Sequence, residues 1–169
     1  MASNYEAICK ENRESYGTKG AQKSGSLAAG LYDDRTHFIF ELLQNAEDAL
    51  GRRGEWHGSR KVAFTLNSTR LVLSHFGKPF DEADVRSVCD IAESTKNESS
   101  IGRFGLGFKS VYTVTDLPEI HSGDEDFAIE DYVFPKRLPR SVHAADETQI
   151  ILPLKPEDAS AASDITAGF

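Results

Sequence analysis

The sequence has little cysteine, no excess of positive charge and no long apolar run. Its two cysteines, Cys9 and Cys89, cannot build a disulfide framework and lack the spacing of a metal site, so a reducing, cytoplasmic compartment is expected. The net charge of −8 argues against a nucleic-acid partner, because phosphate backbones are bound by clustered lysine and arginine. No apolar run approaches the roughly 20 residues of a membrane span, so no membrane partner is expected either.

What is present is an ordinary globular composition, with 39% apolar and 27% charged residues in a chain of 169. A chain of this length holds one domain with a proper core. We predict a helix followed by a flexible arm over residues 1–30, because the second half of that range is rich in glycine, serine, lysine and alanine without a period. The folded domain is expected over residues 31–155. Residues 156–169 are predicted to be a linker to further polypeptide, since alanine, serine and aspartate dominate them.

The apolar periodicity predicts an α+β fold. A helix is expected over residues 36–50, a hairpin of two antiparallel strands over residues 61–67 and 70–75, and a second helix over residues 82–93. Residues 135–146 contain two prolines and are predicted to form a loop. This order indicates a two-layer sandwich, in which a mixed, mostly antiparallel sheet is covered on one face by helices. The later strands are expected at residues 119–122, 127–129 and 148–154.

A polar stripe without any cation marks the first long helix. Glu41, Asn45 and Asp48 share one side of it at about 100° per residue, opposite the apolar side. A solvated face is the simplest alternative, but such faces normally interleave lysine or arginine with acids at i,i+4 spacing. Here no lysine or arginine lies between Arg35 and Arg52. We interpret the stripe as a site for a cation from outside, and oxygen ligands of this kind suit Mg²⁺.

Three glycines fall within six residues further along the chain. Gly102, Gly105 and Gly107 are followed directly by an apolar, helix-compatible run over residues 108–114. Clustered glycine lets backbone come close to a ligand, often a phosphate at a helix N-terminus. A Walker A loop is disfavoured because one residue separates the last glycine from the Lys-Ser pair, and a dinucleotide-binding loop is disfavoured because the order is G-x-x-G-x-G.

Together these motifs resemble the GHKL ATPases, the superfamily of DNA gyrase, the heat-shock protein 90 chaperones, histidine kinases and MutL. Residues 41–49, ELLQNAEDA, resemble the N-box of that superfamily. Residues 101–110, IGRFGLGFKS, are similar to its second glycine box in the form closest to the heat-shock chaperones. The strand that begins at Thr148 is similar to a late strand whose threonine lies near adenine. Residues 89–96 and 116–122 resemble the branch that contains sacsin and the plant NO VEIN proteins.

The resemblance implies a Bergerat, histidine-kinase-like ATPase fold that binds ATP and Mg²⁺. Glu41 would be the catalytic base that activates water, work that is typically worth about 10²–10⁴-fold in rate. Asn45 would bind Mg²⁺, and Asp48 would line the nucleotide pocket. Local positive charge would come from Lys96, Arg103 and Lys109, although Lys109 could equally be a solvated lysine of the helix. Besides Asn45 and Asp48, the resemblance assigns nucleotide binding to His75, Gly77, Lys96, Gly102, Arg103, Phe104, Gly105, Leu106, Gly107, Phe108 and Thr148.

The first glycine box departs from the family pattern. In that pattern an aspartate accepts a hydrogen bond from the adenine amino group, whereas here His75 stands in its place and Pro79 replaces the second glycine. A neutral imidazole can accept one hydrogen bond and an imidazolium cannot. Base selectivity is therefore open, and nucleotide affinity is expected to vary between about pH 5.5 and 8. The segment between Ala92 and Gly102 is shorter than the lid of the heat-shock chaperones, which predicts weak affinity and slow turnover.

Three functions are compatible with the sequence. The first is an ATP-binding, Mg²⁺-dependent ATPase domain that acts as a chaperone-like, nucleotide-driven switch at the N-terminus of a larger protein. The second is a nucleotide-binding module without significant hydrolysis that serves as a scaffold, as the His75 and Pro79 departures would allow. The third is a histidine kinase catalytic domain, which would need a phosphoacceptor-histidine helix and usually has a different glycine loop. The expected partners are ATP or ADP, other domains of the same polypeptide and, as an open alternative, a second copy of the chain.

Overall fold

The computed structural model describes residues 1–30, 35–91, 106–141, 144, 146–156, 158 and 160–169. Within these ranges the helices are α1 (Tyr5–Ala29), α2 (His37–Arg52), α3 (Glu82–Val88), α4 (Leu106–Lys109) and α5 (Ala161–Gly168), and a 3₁₀ turn at Ser110–Thr113 continues α4. The strands are β1 (Val62–Leu66), β2 (Arg70–His75), β3 (Glu119–Ser122), β4 (Glu125–Glu130), β5 (Phe134–Arg137) and β6 (Thr148–Pro153). None of the helices in these ranges combines the length and the apolar character needed to cross a membrane.

The strands form one sheet in the order β1-β2-β6-β3-β4-β5, and every pair of neighbours is antiparallel. One apolar core lies between this sheet and the helices. Phe38 and Leu42 of α2 and Phe108 of α4 belong to the same buried cluster as Leu73 of β2 and Ile150 of β6. The predicted two-layer α+β sandwich is confirmed.

The core-facing side of the central strands ends in polar residues. Leu71, Leu73 and His75 are the buried members of β2, so they share the side that faces the core. The register pairs His75 with Thr148 at the start of β6, and Thr148 with Ser122 at the end of β3. Three buried polar side chains therefore cross one end of an otherwise apolar surface.

The third helix begins at a capping box, as its sequence indicates. Asp81 Oδ1 accepts a hydrogen bond from the Asp84 amide at 3.1 Å, and Asp84 Oδ2 accepts one from the Asp81 amide at 3.1 Å. The helix ends at Val88, before the predicted end at residue 93. Residues 89–91 have left the helix, and the last two residues of the prediction lie outside the described ranges.

The prediction of a flexible arm over the second half of residues 1–30 is wrong, because α1 continues to Ala29 after a kink at Gly17, where φ is 59°. The small residues in the second half of α1 allow this part of the helix to pack closely against the rest of the protein. Ala21 is fully buried in a cluster with residues of the β4–β5 region. A Cβ at Gly25 would overlap the ring of Tyr132, so only glycine admits this approach. Tertiary contacts have overridden the weak local helix propensity.

Two other segments also differ from the sequence-based prediction. Residues 161–168 form α5 instead of a linker, and Ala161 and Ile165 are fully buried in the protein. Residues 134–137 form β5, so the last three residues of this strand lie in the segment predicted to be a loop. Its proline, Pro135, is tolerated because β5 is the last strand of the sheet, and an edge strand does not need every backbone N–H for the ladder.

Lys109 of α4 is a structural residue and is not available as a local charge for a ligand. Its side chain is 0% exposed, and its ammonium donates hydrogen bonds to the carbonyl oxygens of Val88 and Tyr132, both at 2.5 Å. Removal from water lowers the pKa of Lys109 to about 8, while Cys89 and Asp90 act in the opposite direction. The helix behind the glycine cluster is thus tied to the end of α3 and to the turn before β5.

Replacing Lys109 by methionine should lower the free energy of unfolding by about 2–4 kcal/mol, because two buried carbonyl oxygens lose their donor. The measurement is urea unfolding of the purified domain. The control is Lys136→Met, since Lys136 is exposed and its ion pair with Glu130 should contribute less than about 1 kcal/mol. Equal losses in the two variants would contradict the structural role of Lys109.

Candidate functional site

The polar stripe of α2 is not a solvated face. Asn45 is only 7% exposed, and the apolar residues around it on the helix belong to the core. Asn45 Nδ2 and Asp48 Oδ2 are both buried, and neither has a hydrogen-bond partner within the described part of the chain. A buried polar atom without a partner costs roughly 1–3 kcal/mol. Two such atoms one turn apart indicate that a polar ligand completes them.

Glu41 begins the same stripe, one turn before Asn45. Its Oε1 lies 2.9 Å from His37 Nε2, which is one turn earlier on the helix. The other oxygen, Oε2, lies so close to the Cα of Gly107 that a Cβ at that position would overlap it. Glu41 of the polar stripe and the last glycine of the glycine cluster are therefore in contact. The His37 contact is not apparent from the family motif, although the i,i+4 spacing of histidine and glutamate could have indicated it.

The turn after β2 closes against the other end of α2. The Lys78 amide donates to the Ala49 carbonyl at 2.8 Å. A Cβ at Gly77 would come within 2.6 Å of the Ala49 side chain and 2.8 Å of the Leu50 nitrogen. Arg53 donates to the carbonyl oxygens of Phe76 and Gly77 at 2.8 and 2.9 Å. Gly77 is thus required for a close approach of two backbones, which fixes the end of β2 beneath the helix.

His75, at the end of β2, is 1% exposed. Its Nδ1 accepts a hydrogen bond from the backbone amide of Gly77 at 3.1 Å. Burial, with a smaller contribution from Arg52, lowers the pKa of His75 to about 4. The ring is therefore neutral throughout the range from about pH 5.5 to 8. This pKa argues against the expectation that His75 makes nucleotide affinity vary over this range, because the charge of His75 does not change there.

Thr148 lies opposite His75 on the neighbouring strand and is fully buried. Its hydroxyl is 2.5 Å from the hydroxyl of Ser122, which in turn accepts a hydrogen bond from the Phe80 amide at 3.0 Å. Ser122 was not identified from the sequence. The signal that could have found it is a hydroxyl on the side of β3 that faces the core.

The remaining predicted site residues fall into two groups. Phe108 is fully buried in the apolar core, so its ring contributes to packing and does not face the site. Leu106 begins α4 and places its backbone next to Gly107. Five predicted residues lie outside the described ranges, namely Lys96, Gly102, Arg103, Phe104 and Gly105.

The donor set fits Mg²⁺ held mainly by water and phosphate. In the described ranges there is no group of three histidine, cysteine, aspartate or glutamate side chains that could hold a metal. Mg²⁺ does not need such a cage, because it keeps several waters and is often bound by one or two protein oxygens together with substrate phosphates. The unpaired carboxylate oxygen of Asp48 is a ligand of this kind, whereas the unpaired Nδ2 of Asn45 is a hydrogen-bond donor, so Asn45 would offer a metal only its amide oxygen.

The sequence of the chain matches a known protein family. A family model described as the sacsin domain matches residues 29–163, most of the chain. The chain belongs to the sacsin domain family. The resemblance to the sacsin and NO VEIN branch of Hsp90-type ATPase domains is thereby confirmed.

Named relatives of this sacsin domain come from three kinds of protein. Protein NO VEIN of Arabidopsis thaliana is 36% identical over 121 residues, which cover 67% of this chain and 4% of the plant protein. Human sacsin is 29% identical over 143 residues, which cover 68% of this chain and 3% of sacsin. The chaperone protein HtpG of Aliarcobacter butzleri is 26% identical over 138 residues, which cover 65% of this chain and 22% of the chaperone. This sacsin domain thus spans a small part of each of these relatives, one of which is named as a chaperone.

The stability of this sacsin domain should fall by up to roughly 3 kcal/mol between about pH 6.5 and 4 through His75 alone. The unfolded chain takes up a proton near the ordinary histidine pKa of 6.5, whereas the folded protein does so only near 4, so acid favours the unfolded state. The measurement is the free energy of unfolding in urea at several pH values for wild type and His75→Asn, in which this contribution should vanish. A variant of the exposed His57, His57→Asn, should keep the wild-type slope. An unchanged slope in His75→Asn would contradict the shifted pKa.

Proposed function

We propose that this domain binds ATP together with Mg²⁺, hydrolyses it slowly, and acts as a chaperone-like, nucleotide-driven switch within a larger protein. The observation that carries the proposal is the contact between the Glu41 carboxylate and the Cα of Gly107, beside the two unsatisfied polar atoms of Asn45 and Asp48. A carboxylate, metal-binding oxygens and close backbone are the groups that phosphoryl transfer to water requires. A reducing, cytoplasmic compartment belongs to the same proposal and agrees with Cys9 and Cys89 both being free thiols.

Glu41 is the general base in this proposal. Its carboxylate orients the attacking water and accepts its proton, while the bond from water oxygen to the γ-phosphorus forms and the bond from that phosphorus to the departing ADP oxygen breaks. Gly107 leaves room for that carboxylate, since any side chain at this position would displace it. The hydrogen bond from His37 holds the other oxygen at 2.9 Å and limits the rotation of the glutamate. Both neighbours therefore restrict Glu41 to one orientation, which is what a positioned base needs.

Asn45 and Asp48 are the residues that would hold the metal and its water shell. Mg²⁺, when bound there, would neutralise negative charge on the phosphates. The backbone around Gly107 approaches the phosphates in the same proposal. At the other end of the stripe, His75, Gly77 and Thr148 surround the nucleobase. Their position beneath the second half of α2 supports this role, because Gly77 is in contact with Ala49 and Leu50.

The switch function is supported by the contacts of α4. Gly107 lies against the proposed base, and two residues later Lys109 holds the carbonyl oxygen at the end of α3. A change in the position of α4 with nucleotide state is therefore transmitted to α3. Since α4 and α3 flank the segment of residues 92–105, this linkage gives a route from the phosphates to the region outside the pocket.

A nucleotide-binding scaffold without hydrolysis is the second candidate. It is favoured by the contact between His37 and Glu41, because that hydrogen bond already occupies one of the two carboxylate oxygens. Binding by other domains of the same polypeptide, or by a second copy of the chain, belongs to both candidates. A measurement of phosphate release from ATP would distinguish the hydrolysing switch from the scaffold.

The variant Glu41→Gln should bind ATP with Mg²⁺ as wild type does and should release phosphate at least about 10²-fold more slowly, since an amide cannot accept the proton. Binding is measured by calorimetry with ATP, with and without Mg²⁺, and phosphate release by a coupled assay. Glu47→Gln is the matched control, because Glu47 is an exposed acid on the same helix. Equal, non-zero turnover in wild type and Glu41→Gln would contradict the role of Glu41, and no turnover in wild type with intact binding would favour the scaffold.

The variant Gly107→Ala should slow phosphate release by about tenfold or more while changing the free energy of unfolding by less than about 1 kcal/mol. The three atoms nearest to the new Cβ all belong to the flexible end of Glu41, which can rotate away, so we expect the fold to tolerate the change while the base is displaced. Gly51→Ala on α2 is the control, because its Cβ would meet nothing within 4 Å and alanine favours a helix. Wild-type turnover in Gly107→Ala would show that Glu41 does not act from its present position.

A further inference from the structure

The hydrogen bond between Gly77 and His75 determines where the imidazole carries its proton. A backbone N–H can only donate, and the Gly77 amide lies 3.1 Å from His75 Nδ1. Nδ1 must therefore be the unprotonated nitrogen, and in a neutral ring the proton is then on Nε2. The low pKa of His75 agrees with a neutral ring. Turning the ring over would leave a buried amide without an acceptor, so the tautomer follows from the backbone.

The second nitrogen of the His75 ring, Nε2, has no hydrogen-bond partner in the described part of the protein, although the side chain is only 1% exposed. The ring stands on the core-facing side of β2, next to Thr148 and under the half of α2 that Gly77 contacts. The unpaired donor is thus in the group of residues that the proposed function assigns to the nucleobase.

We propose that His75 recognises the base by donating a hydrogen bond from Nε2, so that the pocket does not select adenine through its amino group. This inference rests on the proposed nucleotide-binding function and specifies its substrate class. The 6-amino group of adenine is itself a donor and gains nothing from a second donor, whereas the 6-oxygen of a 6-oxopurine is an acceptor. At the 6-position the donor therefore favours the oxygen of a 6-oxopurine over the amino group of adenine, and we expect 6-oxopurine nucleoside triphosphates to bind at least as tightly as ATP.

An aspartate in place of His75 would have the opposite hydrogen-bonding character. A carboxylate accepts only, so it would favour the amino group of adenine and repel the 6-oxygen of a 6-oxopurine. Discrimination by a buried hydrogen-bonding group is large, because the wrong base leaves a polar group unpaired. A single substitution at this position should thus reverse the order of preference while leaving the phosphate-binding residues unchanged.

The test is calorimetry of ATP and inosine triphosphate, each with Mg²⁺, on wild type, His75→Asp and His75→Asn. In wild type we expect inosine triphosphate to bind at least as tightly as ATP, and in His75→Asp we expect the ratio of affinities to shift toward ATP by about tenfold or more. A wild-type preference for ATP above about threefold, or an unchanged ratio in His75→Asp, would overturn the inference while leaving the proposed function intact. If wild type binds neither nucleotide at millimolar concentration, the proposed function fails and this inference fails with it.

A second measurement does not depend on the variants folding. In wild-type protein labelled with ¹⁵N-histidine, the nuclear magnetic resonance spectrum should show one protonated and one unprotonated ring nitrogen for His75, assigned by comparison with His75→Asn. The proton should be on Nε2, and adding inosine triphosphate should shift the Nε2 resonance more than adding ATP does. A proton on Nδ1, or no response of Nε2 to either nucleotide at saturation, would overturn the role of His75.

Discussion

The domain is organised around one helix that serves both the core and the site. Helix α2 buries an apolar side that includes Phe38, Leu42 and Ala46, and it buries the polar side chain of Asn45 as well. Polar atoms that are buried without partners oppose folding by roughly 1–3 kcal/mol each, so the protein keeps them only because the apolar contacts of the same helix offset the cost. The site is thus held by the core, and its unsatisfied atoms are a source of binding energy for a ligand.

The glycines that matter here act through close approach and not through flexibility. Gly107 brings the α4 backbone against Glu41, Gly77 brings the β2–α3 turn against Ala49, and Gly25 brings α1 against Tyr132. In each case a Cβ would occupy space that another group already fills. Two of these contacts join the ends of the polar stripe to neighbouring elements. The geometry of the site therefore depends on the absence of side chains at two positions as much as on the presence of Glu41 and Asn45.

Sequence reasoning predicted the features that depend on local pattern and missed those that depend on packing. Helix α2 and the β1–β2 hairpin follow from periodicity, and the structure contains both, although Asn45 lies on the buried side of α2 and not opposite it. The second half of α1 and helix α5 were missed, because small residues are typical both of linkers and of close helix contacts. Lys109 was misassigned for a similar reason, since nothing in its neighbours distinguishes a buried lysine with two carbonyl acceptors from a charged residue facing a phosphate.

Base recognition is the part of the site that sequence could least determine. The residue type at position 75 says only that a donor or an acceptor is available, because neutral histidine offers either. The choice is made by the Gly77 amide, whose direction depends on the turn after β2, and that turn depends on the contact of Gly77 with α2. A histidine in place of an aspartate therefore need not be a weaker version of the same acceptor. The neighbouring backbone already donates to the acceptor nitrogen of His75, so in the proposed site the substitution would reverse the hydrogen-bonding polarity of the position, and base specificity would follow from the turn as well as from the side chain.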